Sequence, residues 1–255
     1  MDNTERFTGR TADYIRFREP YDPALILSRL REWTGLAPTW LVADIAAGTG
    51  MLTELFLANG NLTIAIEPNA DMRTACSMLH PKADVRNGTA ETTGLEALSI
   101  DLVTVGRALH WFDFDKAIAE FRRILKPTGW LAVIASGRDE TGSAANDAFD
   151  KVLRGFSASS SGSTRSGYAN YFRLPEAFTG GILHHEETTG ELVLTWEQLR
   201  GYASSVSYAP LPTAANFPDF QHALRQFFDD YQQDDIVRLV SRHWINVGQF
   251  AKPTD

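Results

Sequence analysis

Apolar positions in this chain fall into short continuous runs, each followed by a stretch where they recur every three or four residues. That rhythm is the signature of buried strands leading into amphipathic helices. Trp40-Leu41-Val42-Ala43 runs into Asp44, a bend of small residues follows, and Leu52, Leu55 and Phe56 then share one helical face. The change of period repeats along the first half of the chain. Leu62–Ile66 precedes a face of Met72, Ala75, Cys76 and Leu79, and residues 83–86 form a short strand. Residues 101–105 precede Ala117, Ile118, Phe121, Ile124 and Leu125, after which Lys126-Pro127-Thr128-Gly129 reads as a turn into a strand at 130–134. Strands alternating with helices predict an α/β fold, a doubly wound and mostly parallel sheet with helices on both faces.

The flanks are less regular. Asp22-Pro23 opens a helix that presents Leu25, Ile26, Leu30 and Trp33 on one face and stops at Gly35. Residues 1–22, with Phe7, Tyr14, Arg16, Phe17, Arg18, Pro20 and Tyr21, fit neither a strand nor a clean amphipathic helix. Past residue 136 the pattern predicts a helix over 147–156, a strand over 183–189, a helix over 196–203 capped by Thr195, a helix over Phe217–Tyr231, and a helix end with a last strand within 236–250. The serine- and glycine-rich stretch 157–167 reads as flexible, equally a lid or a loop. The expected organisation is a single domain, residues 1–255. It divides into an N-terminal cap (1–35), a cofactor-binding core (36–136), a cap or substrate insertion with late sheet elements (137–235) and a last strand (236–255).

Composition narrows the partners. With 255 residues, 44% of them hydrophobic and 22% charged, the chain suits one large α/β domain, and no apolar run approaches a membrane span. A net charge of −8 without any Lys/Arg-rich run argues against nucleic acid. Met1-Asp2-Asn3-Thr4-Glu5-Arg6 is not a basic start followed by an apolar core, so a cytoplasmic protein, monomeric or homodimeric, is expected. Cys76, the single cysteine, fits a reducing compartment and lies at core spacing. His184 and His185 would point to opposite faces of a strand, and no metal pattern is present. His80, before Pro81, reads as a solvated helix C-terminus.

The bend after Asp44 carries the candidate chemistry. Gly48 and Gly50 tolerate positive φ and lack a Cβ, so a ligand can lie against the main chain at the strand's carboxyl end. Asp44 is expected to aim its carboxylate at the same crevice, and Ala46 to require negative φ. The dinucleotide fingerprint G-x-G-x-x-G is incomplete, its third position being Thr53 or Met51 according to register, which disfavours a pyrophosphate cofactor. Glu67, about twenty residues on at the end of the next strand, is placed to accept hydrogen bonds from a ribose diol. His110-Trp111-Phe112 follows a central strand, where a parallel sheet faces its ligand. Histidine titrates near neutral pH and suits a proton acceptor. Arg18 or Arg107 suits a ligand carboxylate, and Tyr14 or Trp111 offers an aromatic face to a cation.

Asp44-x-Ala46-x-Gly48-x-Gly50 together with Glu67-Pro68-Asn69 resembles the first two motifs of class I S-adenosylmethionine-dependent methyltransferases, with Ala46 where many members carry glycine. Tyr14-x-x-x-Arg18 followed by Tyr21 resembles the lead-in of the small-molecule, trans-aconitate methyltransferase-like group, with Glu19 in place of an expected proline. The run 87–91 resembles the adenine-lining loop, His110-Trp111-Phe112 the segment bordering the methyl acceptor, and 194–208 the late cap segment. The resemblance implies a seven-stranded Rossmann-like sheet with a helical cap from the N-terminus and the 140–230 region. It implies S-adenosyl-L-methionine as cofactor, leaving as S-adenosyl-L-homocysteine. Cofactor contacts would come from Asp44, Ala46, Gly48, Gly50, Glu67, Pro68, Thr89, Ala90, Arg107, Tyr14 and Arg18. Substrate contacts would come from His110, Trp111 and Tyr208, with His110 catalytic and a small-molecule carboxylate or hydroxyl as acceptor. An NAD-type oxidoreductase and a non-catalytic cofactor-binding protein remain the alternatives.

Overall fold

The computed structural model describes residues 8–139, 142–157 and 163–251. They divide into two compact units, a first of 8–19, 136–139, 142–157 and 187–243, and a second of 20–135, 163–186 and 244–251. One sheet of seven strands runs in the order β3 (Asp84–Arg86), β2 (Leu62–Ile66), β1 (Leu41–Ile45), β4 (Ile100–Gly106), β5 (Leu125–Arg138), β7 (Ile236–Gln249) and β6 (Ile182–Thr195). β1 pairs in parallel with β2 and β4, β2 with β3, and β4 with β5. Chain order runs outward from β1 to β3 on one side and resumes at β4 on the other, so the switch point lies between β1 and β4. Open α/β sheets bind their ligands outside the carboxyl ends of the strands at such a point.

Alternation along the strands explains the two faces of the second unit. Ala43, Ile45, Ile64, Ile66, Val103, Val105, Leu131 and Val133 pack with α5 (Phe114–Ile124) and α7 (Ser163–Ala177). Val42, Leu102, Trp130, Ala132 and Ile134 pack with α2 (Pro23–Thr34) and α3 (Met51–Ala58). Both faces of a parallel strand are buried, and each fully buried Leu, Ile or Phe contributes roughly 1.5–3 kcal/mol. The first unit has its own core, in which Phe149 and Leu153 of α6 (Ala144–Gly155), Leu199 and Tyr202 of α8 (Trp196–Ser205), and Phe220, Leu224 and Phe227 of α9 (Phe217–Tyr231) meet Val237 and Leu239.

Helix ends follow the residues expected to cap them. Asp22 accepts from Leu25 N and Gly35 closes α2 at φ 76°, while Thr195 and Gln198 form a capping box on α8. Five expectations are corrected. Residues 11–17, read as irregular, form helix α1 (Thr11–Phe17) because tertiary contacts replace a missing amphipathic pattern. A Cβ on Gly201 would lie 2.2 Å from the Phe17 ring, and Arg10 donates to the carbonyls of Ser204 and Ala209. The Lys126-Pro127-Thr128-Gly129 turn is instead part of β5, absorbed as a register irregularity in which Ile100 faces Leu125 but Leu102 faces Trp130. Residues 236–249 are strand throughout, without a helix end, and the strand expected over 183–189 extends to Thr195. In the serine- and glycine-rich stretch, residues 163–167 are helical within α7; positions 158–162, like Phe7, lie outside the described residues.

Candidate functional site

Three central strands end side by side in the second unit, and the residue after each carries the geometry of the site. After β1, Ala46 adopts φ 55° and Gly48 φ 60°, so the chain doubles back in the left-handed region. This overturns the expectation of negative φ at Ala46. An alanine held there costs roughly 1–2 kcal/mol, which the surrounding bonds offset. Ala47 N donates to Ile66 O at 3.1 Å and Gly50 N to Ala47 O at 2.9 Å. Gly50, at φ 90°, is the N-cap of α3, and Glu54 N donates to its carbonyl.

The two glycines differ in what surrounds them. Nothing lies within 4 Å of where a Gly48 Cβ would stand, so its face is open. At Gly50 a Cβ would fall 2.3 Å from His80 Cδ2 and 2.9 Å from Cys76 Sγ. His80 is therefore half-buried with its ring against the bend, not a solvated helix end. Cys76, at the core spacing read from the sequence, is fully buried, and burial pushes its thiol up to about 12.

Glu67, following β2, holds the bend directly. Its Oε2 accepts Gly48 N and its Oε1 accepts Asn69 N, both at 2.8 Å. Each carboxylate oxygen has two lone pairs, so acceptor capacity remains for a ligand's hydroxyls. Burial raises the Glu67 carboxyl above its ordinary range against the two backbone bonds. Asn69 caps α4 (Ala70–Leu79), and Arg73 donates to the carbonyls of Glu67 and Pro68, which fixes the strand end.

Asp44 does not face the crevice. It is 1% exposed and accepts from Thr53 Oγ1 at 2.7 Å and from Thr104 Oγ1 at 3.3 Å, tying the first turn of α3 to β4 beneath the bend. Burial raises its carboxyl to about 7, the two threonine bonds opposing. Thr53, where the dinucleotide pattern has its third glycine, is thus a ligand of Asp44.

After β4, Arg107 takes φ 54°, and its guanidinium carbon lies 4.4 Å from the Tyr21 ring centroid. A Cβ on Gly106 would lie 2.5 Å from Tyr21 Oη, so this glycine is what lets the phenol approach the strand end. A 3-10 turn, Leu109–Trp111, then presents His110 with its ring 4.3 Å from Trp111 and 6.3 Å from Tyr171, stacked on the latter. Asn170 of α7 pins that turn by donating to the carbonyls of Leu109 and Phe112. Thr89 and Thr92 exchange backbone bonds beside buried Ala90, forming a closed loop after β3.

The second unit thus contains Asp44, Ala46, Gly48, Gly50, Glu67, Pro68, Thr89, Ala90, Arg107, His110 and Trp111. Tyr14, Arg18 and Tyr208 belong to the first unit, where the Arg18 guanidinium lies 5.5 Å from the Tyr14 ring and Arg138 Nη2 donates to Tyr208 Oη at 3.2 Å. Sequence reasoning assigned no role to His80, Asn170 or Tyr171. The last two come from a segment more than fifty residues away in sequence, and no local signal marks them. No cluster of three or more metal-ligating side chains occurs among the described residues.

Residues 43–133 match the methyltransferase domain family. An uncharacterized methyltransferase of Mycobacterium tuberculosis is 34% identical over 134 residues, 52% of this chain and 53% of that protein. One from Schizosaccharomyces pombe is 34% identical over 139 residues, 52% of this chain and 55% of that one. The chain therefore spans about half the length of these curated relatives. A ubiquinone/menaquinone biosynthesis C-methyltransferase of Campylobacter jejuni is 26% identical over 171 residues, 64% of this chain and 72% of that one. Among solved structures, a protein of Anaeromyxobacter dehalogenans assigned to the type II methyltransferases has a TM-score of 0.62 at 22% identity, covering 93% of this chain and 100% of that one. The [4+2]-cyclase SpnF has a TM-score of 0.56 at 13% identity, covering 99% and 96%. Such likeness speaks for the fold alone, and the chemistry has to be argued from the site.

Proposed function

We propose that the protein, whose residues 43–133 match the methyltransferase domain family, is a class I S-adenosylmethionine-dependent methyltransferase that transfers a methyl group to a small-molecule acceptor, a carboxylate or hydroxyl. The observation that carries this reading is the bend at the switch point, where Ala46 and Gly48 both turn to positive φ and Gly48 leaves its Cβ position open. A ligand that lies against bare main chain needs that cradle. When bound, S-adenosylmethionine supplies an electrophilic methyl on a cationic sulfonium.

The residues fit such a cofactor. Glu67 retains lone pairs for ribose hydroxyls beside the bend. Arg107 suits the cofactor's carboxylate, with Tyr21 on its guanidinium. Pro68, Thr89 and Ala90 supply the adenine side, as the family resemblance implies. Asp44 acts through position, keeping α3 and the bend in register with β4. His110 takes a proton from a hydroxyl acceptor, and Trp111 borders it. An already ionised carboxylate acceptor needs only alignment and exclusion of water.

The incomplete pyrophosphate fingerprint weighs against the NAD-type alternative. An acidic chain without a Lys/Arg-rich run favours a small, cytoplasmic substrate over nucleic acid, and no described helix is long and apolar enough to cross a membrane. We propose a monomer or homodimer. Calorimetric titration with S-adenosylhomocysteine and with NAD, followed by transfer of labelled methyl from S-adenosylmethionine into metabolite fractions, tests the reading. Heat with S-adenosylhomocysteine and label in a small molecule are expected. Heat with NAD alone would overturn the assignment, and cofactor binding without transfer to any fraction would leave a sensor or scaffold.

A further inference from the structure

The first unit contains a polar cluster whose centre, Arg138 with Asp150, Ser136 and His243, has no part in the methyltransferase reading. Arg138 is the clearest sign of it. Its side chain is 8% exposed, one nitrogen reaches Asp150 and Tyr208 Oη, and its buried Nε has no hydrogen-bond partner. A buried guanidinium donor left unmatched in a native fold calls for an explanation, and an acceptor brought by a ligand supplies one.

A second guanidinium converges on the same place. Phe149 and Tyr202 stack at 6.3 Å; Arg138 lies 5.5 Å from the Phe149 ring and Arg18 5.8 Å from that of Tyr202. Arg18 makes no side-chain hydrogen bond among the described residues. Arg154 shares Asp150 with Arg138, so two guanidiniums meet one carboxylate there.

A hydroxyl-recognising group adjoins it. Ser136 precedes Arg138 by two residues on β5, so both side chains leave the same face, about 6.6 Å apart along the strand. Ser136 Oγ lies 2.8 Å from His243 Nδ1, and His243 Nε2 lies 3.1 Å from Ser241 Oγ and 3.8 Å from Glu19 Oε1. The imidazole is thereby held between two hydroxyls and an acid.

We propose that the first unit holds a binding site for a small hydroxycarboxylic acid, its carboxylate taken by Arg138 and Arg18 and its hydroxyl by the Ser136–His243 pair. The site stands on this unit alone; it takes Arg18, which the family resemblance otherwise gives to the cofactor, and its binding does not require methyl transfer. Arg–carboxylate pairs are charge-assisted and geometrically matched, so a neutral amide in place of the acid forfeits most of the affinity.

The test is calorimetric titration of the full chain with 4-hydroxyphenylacetate, 4-hydroxyphenylacetamide and phenylacetate. The hydroxy acid is expected to bind at least about 10-fold more tightly than its amide. R18Q and R138Q are each expected to remove that difference, and S136A to abolish the preference over phenylacetate. R138Q breaks the tie to Asp150 and can unfold the unit; R18Q removes no hydrogen bond of the described residues and keeps the test decisive. Equal affinity for acid and amide, no binding of any probe at millimolar concentration, or wild-type affinity in folded R18Q would overturn the proposal. Titration of wild type and S136A, in both of which Arg18 is intact, with S-adenosylhomocysteine reports the methyltransferase reading separately.

Discussion

Gly48→Ala separates what the bend does for the fold from what it does for a ligand. The substitution places a methyl where nothing lies within 4 Å, at φ 60°. Ala46, two residues earlier at φ 55°, shows that this backbone carries alanine in the left-handed region. The strain costs roughly 1–2 kcal/mol, offset by about 0.4–1 kcal/mol from a stiffer unfolded chain. A net loss of about 1 kcal/mol lowers Tm by roughly 2–4 °C in a protein of this size. The ligand, in contrast, meets the methyl directly, and overpacking by about 1–3 kcal/mol weakens binding roughly 5- to 150-fold. Gly50→Ala should show the reverse balance. Its Cβ would overlap His80 and Cys76, at 2.3 and 2.9 Å, with φ at 90°, so strain and overpacking together cost about 2–5 kcal/mol of stability. Thermal unfolding and titration with S-adenosylhomocysteine, made below the onset of unfolding, measure both quantities on each variant. A Gly48→Ala protein that is folded and binds S-adenosylhomocysteine as tightly as wild type would show that the ligand does not lie on the bend, and the argument would fail there.

Three further outcomes follow from the same geometry. Ala46→Gly should leave urea stability unchanged or raise it by up to about 1 kcal/mol, because relief of a left-handed alanine outweighs the added freedom of the unfolded chain; a loss above about 1 kcal/mol contradicts it. His110→Ala should lower methyl transfer while leaving S-adenosylhomocysteine affinity intact, and undiminished turnover on the true substrate would remove His110 from the chemistry. Asp44, held up to about 7 by burial, binds its proton more tightly in the folded than in the unfolded chain. Stability should therefore fall, by on the order of a few kcal/mol, as pH rises from about 4 through 7, and level off above. Glu67, raised in the same direction by burial, adds to that slope. Asp44→Asn should flatten most of it in denaturant titrations across pH, and a slope equal to wild type would refute the assignment.

Much of the second unit was legible in the sequence because its signals are local. The strands β1, β2 and β4 are apolar runs with both faces buried, and Asp22, like Thr195 in the first unit, announces a helix start within three residues of its own partner. The small residues between Asp44 and Met51 marked the bend for the same reason. Helix α1 was not legible. Its stability comes from Phe17 seated over Gly201 and Arg10 on the carbonyls of Ser204 and Ala209, nearly two hundred residues away.

By itself the sequence determined the alternation of strands and helices from residue 40 to 136 and the doubly wound sheet they build, since hydrophobic periodicity states which side of each segment is buried. Only the tertiary structure decided where the polar side chains point. Asp44 turned inward to Thr53 and Thr104, Glu67 clasped Gly48, Tyr21 covered Arg107, and Ser136 met His243 at a separation of 107 residues. A buried polar group takes whichever partner the packed fold brings within about 3 Å, and neither the residue nor its neighbours in sequence encode that partner's place.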